Sequence, residues 1–302
     1  MKKIIIFLVV FSSVSLAQTP ADSLNKVIDS LYVRASSMSV MYADLVQPSK
    51  KALADLGVRA APALIDKMNT QDAREMQTLE EVFKMIGHPA VALLVDALAS
   101  NDNYRRRLSA RILGEMKDSS AVDGLMYYTN DPDFRMRAGI ISALGKIEDP
   151  RGVQPSKIAL QDKDYLVRTS AAISLSFLKD PTTIFPLLDA LSDPYYGVRF
   201  SAATAISNLG KNAIQPVLDA MRTPRDTLSF YLLIQIAGDL KENKFIEPLS
   251  EILNSDDPFA RAYAAEALGK IGGGDAFKTL RKRYEIETHP LVISKIEAVE
   301  LD

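Results

Sequence analysis

The sequence predicts an all-α protein, a right-handed α-solenoid of stacked helix pairs with a period of about 31 residues. Three observations carry this. Arg106, Arg137, Arg168, Arg199 and Arg261 recur at intervals of 31, 31, 31 and 62 residues, with Phe230 at the skipped place. Counting each of these as zero, apolar or small residues fall at +3, +4, +7 and +10, one face of a helix, as in Ala171, Ala172, Leu175 and Leu178. Finally, 302 residues exceed what a single core usually holds, so the choice lies between two domains and a quasi-linear array. After a 17-residue leader the chain holds about nine 31-residue periods, which favours the array.

The leader comes first. Met1-Lys2-Lys3, an apolar run over 4–11, and small residues at Ser15 and Ala17 form a secretory signal over 1–17, cleaved after Ala17. The run is shorter than the ~20 residues that span a bilayer. No later segment is apolar enough, so no stable membrane insertion is expected once the signal is removed, and the mature chain is expected in the periplasm or secreted. Losing Lys2 and Lys3 from 36 basic residues leaves 34 against 38 acidic ones, changing the net charge from −2 to −4.

Residues 18–58 read as an N-terminal helical cap that covers the end of a stack. Asp22 caps a helix with Leu24, Val27, Ile28, Leu31 and Tyr32 on one stripe, and a second segment over 38–56 is interrupted by Pro48. The array runs over 59–286, and a C-terminal partial repeat over 287–302.

Within the array each unit reads as two helices. Asp102, Asp133, Asp164, Asp226 and Asp257 stand four places before the repeat position, where a carboxylate caps the amides opening the second helix. Glycine recurs at +8 (Gly114, Gly145, Gly238, Gly269), which destabilises an isolated helix by roughly 1 kcal/mol and so predicts close backbone packing between neighbours. First helices fall over 182–191, 212–221 and 243–253; each holds a proline (Pro186, Pro216, Pro248), as does the unit with Pro155, predicting a kink.

The pattern Asp-x-x-x-x-Val-Arg-x-x-Ala-Ala-x-Ala-Leu-Gly, best kept at 162–176 and 260–269, resembles HEAT-like repeats of the phycobilin-lyase type. That resemblance implies a fold and no particular activity. It also implies a structural ladder in which an acid six places before the arginine joins it: Asp131 with Arg137, Asp162 with Arg168, Asp193 with Arg199. Ser100 and Ser255 depart from the pattern beside Arg106 and Arg261, and Pro224 with Phe230 removes both partners from one unit.

No motif in the sequence calls for catalysis. With no cysteine there are no disulfides, thiolate metal sites or thiol nucleophiles. His88 and His289 each precede a proline at a helix start and read as turn residues. The deoxyhypusine hydroxylases, which this repeat also resembles, hold metal through His-Glu dipeptides, absent here. Near-neutral charge without tryptophan argues against nucleic acid and against the HEAT-like DNA glycosylases. Gly272-Gly273-Gly274 lacks the Lys-Ser/Thr of a phosphate loop, and no Gly-x-Ser-x-Gly elbow occurs. No catalytic residue, metal or cofactor is expected.

The surface offers more. Positions +1, +2, +5 and +9 lie opposite the buried stripe of the second helices, and should line the concave side. There Ile173, Phe177, Phe200, Tyr231, Leu232 and Tyr263 form one apolar strip over four units, with charged faces at its ends. A second aromatic series, Tyr104, Phe134, Tyr165, Tyr195 and Tyr196, recurs at the turn, where such residues staple helix starts. The reading is a non-enzymatic exported scaffold or adaptor holding an unidentified protein or peptide in its groove. The alternative is an enzyme or carrier, bilin-lyase-like, for an apolar small molecule on the same strip.

Overall fold

The computed structural model describes residues 21–299, so the predicted signal over 1–17 lies outside the described residues. Among these there are eighteen α-helices and no strand. The chain divides into two compact units, 1–108 and 109–302. The 31-residue repeat does not mark this division.

The N-terminal unit contains α1 (Ala21–Ala35), α2 (Val46–Asp55), α3 (Ala61–Asp66), α4 (Ala73–Ile86) and α5 (Val91–Ala97). Ile28, Leu53, Leu79 and Phe83 meet in its core. Buried Lys50 of α2 donates to Glu81 of α4 at 2.8 Å. Helix α6 (Asn103–Met116) crosses the division.

The C-terminal unit alternates short first helices with longer second helices: α7 (Val122–Met126) with α8 (Phe134–Ile147), α9 (Val153–Ala159) with α10 (Tyr165–Leu178), α11 (Ile184–Ala190) with α12 (Tyr196–Asn208), α13 (Ile214–Arg222) with α14 (Thr227–Leu240), and α15 (Ile246–Ile252) with α16 (Pro258–Ile271). Helices α17 (Gly273–Tyr284) and α18 (Pro290–Glu297) close the stack.

Second helices α8, α10, α14 and α16 begin at an aspartate cap, whereas α12 begins after Tyr195, which makes no side-chain cap. Asp133, Asp164 and Asp257 accept from the amide two residues on, and Asp226 forms a reciprocal capping box with Ser229. Every second helix ends the same way. Position +11 is left-handed in every unit, filled by Lys117, Glu148, Lys179, Gly210, Lys241 and Gly272. That residue stops the helix, and at +12 Asp118, Asp149 and Asp180 cap a 3₁₀ turn leading into the next first helix.

The prolines sit in the first turn of the α-helical part, and not in a helix interior as a proline kink requires. Pro155, Pro186, Pro216 and Pro248 each occupy the third residue of the α-helical part, after the 3₁₀ turn. An amide there has no acceptor one turn back within the α-helix, so a residue lacking N–H costs little.

Three of the four +8 glycines do what their spacing predicts, while Gly269 meets the side chain of Val299 and no neighbouring backbone. A Cβ on Gly114 would lie 2.8 Å from the Cα of Ala143, on Gly145 2.5 Å from the Cα of Ser174, and on Gly238 2.8 Å from the Cα of Ala267. Position +8 of one second helix thus meets position +6 of the next, backbone against backbone.

Candidate functional site

The repeat arginines are joined between units. Arg137 donates through Nε and Nη2 to both oxygens of Asp162, at 2.7 and 2.8 Å, and through Nη1 to the carbonyl of Asp131. Arg168 repeats this with Asp193, at 2.6 and 3.0 Å, and the carbonyl of Asp162. The expected pairings Asp131/Arg137, Asp162/Arg168 and Asp193/Arg199 are therefore corrected. The acid six places earlier supplies its backbone carbonyl, while the carboxylate comes from the following unit. Two-point guanidinium–carboxylate contacts are the strong kind. Arg137 in turn holds the Asp162 carboxyl below the ordinary aspartate range.

Where the pattern departs, other residues complete it. Arg199 faces Pro224 where an acid would stand, and donates instead to Asp226 at 2.9 Å and to the carbonyl of Asp193. Phe230 supplies no guanidinium, and the neighbouring Tyr231 hydroxyl donates to Asp257 at 2.5 Å, which pushes that hydroxyl up to about 12. Arg261 takes the carbonyl of Ser255 and both oxygens of Glu287. Burial pushes the Glu287 carboxyl up, but Arg261, the His289 amide, Arg283 and the Thr288 amide together hold it at about 2. These arginines are committed to holding neighbouring repeats together.

The outward side of the second helices is a different matter. Positions −3, +1, +5 and +9 form one ridge, each a helical turn from the next. At its ends the ridge carries ion pairs one repeat apart: Glu115 with Lys146, and Asp239 with Lys270 at 2.8 Å. Between them, on α10 and α12, the same row becomes apolar. Ile173 and Phe177 are 41% and 42% exposed, and Phe200 56%.

The other three residues of the predicted strip do not join them. Leu232 is buried. Its +2 position shares a ridge with +6, the row that meets the preceding helix, so +2 is a contact position and not a solvent-facing one. Tyr231 and Tyr263 are half-buried, their rings 5.1 Å apart, and the Tyr231 hydroxyl is engaged with Asp257. The strip therefore covers two units instead of four.

It is also wider than predicted. Tyr165, Tyr195 and Tyr196 were expected to staple helix starts, yet all three are exposed, Tyr196 at 65%. Tyr165 and Tyr195 pack with ring centroids 4.0 Å apart, and Tyr196 stacks 6.4 Å from Phe200. A Cβ at Gly197 would come within 2.9 Å of the Tyr195 ring, so glycine there leaves the ring its place against α12. The signal for this was present in the sequence: Tyr165 and Tyr196 occupy −3, four residues before +1 on the same ridge.

The first-helix side is grooved. An open groove of about 550 Å³ lies between α11 and α13, lined by Phe185, Leu188, Pro216 and Ala220. Similar grooves lie between α7 and α9 and between α13 and α15. His88 lies in the 3₁₀ turn before α5, and His289 stands at the N-cap position of α18 without a side-chain cap.

Family comparison agrees with this architecture. The model of HEAT repeats matches residues 91–176 and 156–229, and that of the PBS lyase HEAT-like repeat matches 260–285. No curated protein matches the chain. Among solved structures, E. coli YibA is 20% identical, with a TM-score of 0.53 over 87% of this chain and 98% of YibA. The complex of CpcE and CpcF of phycocyanin lyase from Nostoc sp. PCC7120 is 22% identical, with a TM-score of 0.43 over 70% of this chain and 93% of that one. Human deoxyhypusine hydroxylase is 18% identical, with a TM-score of 0.33 over 93% and 98%. With its 31-residue helix pairs, its +8 glycines and its inter-repeat arginine ladder, this chain carries HEAT repeats over 91–229 and a PBS lyase HEAT-like repeat over 260–285.

Proposed function

We propose that the chain is a non-enzymatic scaffold or adaptor, exported by the signal over 1–17, that holds a protein or peptide on the second-helix face of its C-terminal unit. One observation carries this reading. On α10 and α12, between stretches of the same ridge closed by ion pairs, a patch built on Ile173, Phe177 and Phe200 is left uncovered. Contiguous apolar surface rimmed by polar groups is the usual mark of an interaction site, and aromatic side chains dominate binding energy in such patches.

The packing supports the concave side as the place. Second helices touch backbone to backbone at their glycines, while grooves of about 350–550 Å³ open between first helices. At α6/α8, α8/α10 and α14/α16 this closer approach of second helices is what an inner layer requires.

The test is affinity capture from the organism's envelope fraction, comparing three forms of the chain. Phe177→Asp with Phe200→Asp should abolish capture of the partner and leave the helical circular-dichroism signal and melting temperature unchanged, because both side chains already face water. Phe185→Asp, on the first-helix side, should capture like the parent. Undiminished capture by the folded double variant would remove the site.

A further inference from the structure

We infer that the patch on α10 and α12 takes an arginine side chain of its partner, presented on a peptide segment with apolar neighbours. This rests on the peptide-binding reading above and adds the chemistry of the ligand. The argument comes from comparing one repeat with the next. In α8 the turn aromatic Phe134 carries its own guanidinium, Arg135, 4.9 Å from the ring centroid. In the preceding repeat Arg107 lies 5.2 Å over Tyr104. A ring face is the negative pole of its quadrupole, and a cation set over it is held electrostatically.

In α10 and α12 those cation positions have been given away. Leu166 and Gly197 stand where α8 has Arg135, and Thr169 and Phe200 where α6 has Arg107. The ring at Phe134's place remains, as Tyr165 and Tyr196, while Tyr104's place holds Leu166 and Gly197, and among the described residues no cation lies over Tyr165, Tyr195, Tyr196 or Phe200. The polar groups beside them are arranged the same way. The hydroxyls of Thr169 and Thr204 donate to the carbonyls of Tyr165 and Phe200, at 2.7 and 3.1 Å, so they turn acceptor oxygens outward. The flanking Lys146 and Lys270 are bound to Glu115 and Asp239. A surface of ring faces and acceptors, on a chain of net charge −2, complements a cation. Arginine suits it better than lysine, because the planar guanidinium stacks on a ring while its edge donates to surrounding oxygens.

The experiment selects a random heptapeptide phage library on the intact chain, with the Phe177→Asp/Phe200→Asp variant as counter-selection. Recovered peptides are resynthesised with each arginine replaced by neutral citrulline. The expected peptides contain arginine beside apolar residues, and citrulline weakens binding by about fivefold or more, a difference of roughly 1 kcal/mol. With Tyr196→Leu and Phe200→Leu in the chain, the two peptides should bind alike. Peptides that need Phe177 and Phe200 but contain no arginine, or bind equally as citrulline, overturn the arginine assignment and leave peptide binding standing. Failure to recover any peptide that depends on Phe177 and Phe200 overturns both.

Discussion

The arginine ladder shows how single residues set the register of a stack. Each rung spans two repeats: a guanidinium from one, a carboxylate from the next, a carbonyl from the first to orient it. Arg168 and Asp193 are both largely buried, at 16% and 8% side-chain exposure. Removing one charge strands the other in a medium that solvates it poorly, at about 3–5 kcal/mol for a buried pair. Arg168→Met alone should therefore lower stability by about 3 kcal/mol in urea unfolding, while Arg168→Met with Asp193→Asn should lose clearly less. A double-variant loss equal to the sum of the Arg168→Met and Asp193→Asn losses measured singly would mean that the rung contributes no coupling. The same logic explains the irregular unit. Pro224 leaves Arg199 without its usual acceptor, and Asp226, already the cap of α14, takes the charge at 2.9 Å. Tyr231 offers Asp257 a neutral hydroxyl where Phe230 has replaced arginine.

At the scale of the helix, the contact between second helices is decided by what is absent at +8. Gly145→Ala would place a methyl 2.5 Å from the Cα of Ser174, a clash with backbone that no rotamer relieves. Separating α8 from α10 should cost about 3 kcal/mol, the upper end for overpacking, measured as a lowered urea midpoint. Gly139→Ala in the same helix, with open space around it, is the control and should be neutral or slightly stabilising. This much was legible in the sequence, because a glycine recurring at +8 in four of six units against helix propensity has few explanations. The aspartate caps were legible for the same reason. The partner of each arginine was not. A spacing of six residues and one of 25 both bring an acid near Arg137, and only the stacking of whole repeats decides between them. Leu232 was misplaced for a related reason: a helical wheel locates the core of its own unit, but not the row buried by the neighbouring one. The left-handed +11 residue was also missed, since lysine and glutamate fill four of its six places and glycine only two.

For the molecule as a whole, two kinds of surface emerge from one repeating pattern. Where neighbouring repeats satisfy each other, as at Glu115–Lys146 and Asp239–Lys270, the ridge is closed to partners beyond loose solvation. Surface pairs of that kind add little stability, typically under 1 kcal/mol. Their weight lies in what they exclude, since a partner must leave paired charges alone and settle on the neutral stretch between them. That stretch covers two repeats, α10 and α12, and its aromatic residues come from both. The resemblance of the sequence to phycobilin-lyase-type repeats located the fold and left the surface unassigned, because the repeat pattern constrains the buried positions while +1, +5 and +9 vary freely. The most direct measurement of the central claim is photo-crosslinking in living cells from p-benzoylphenylalanine placed at position 200 and, separately, at position 185. The account predicts a discrete crosslinked protein from position 200, lost when Phe177→Asp is added, and none from position 185. Crosslinking from position 185 alone, or from position 200 regardless of Phe177, would contradict it.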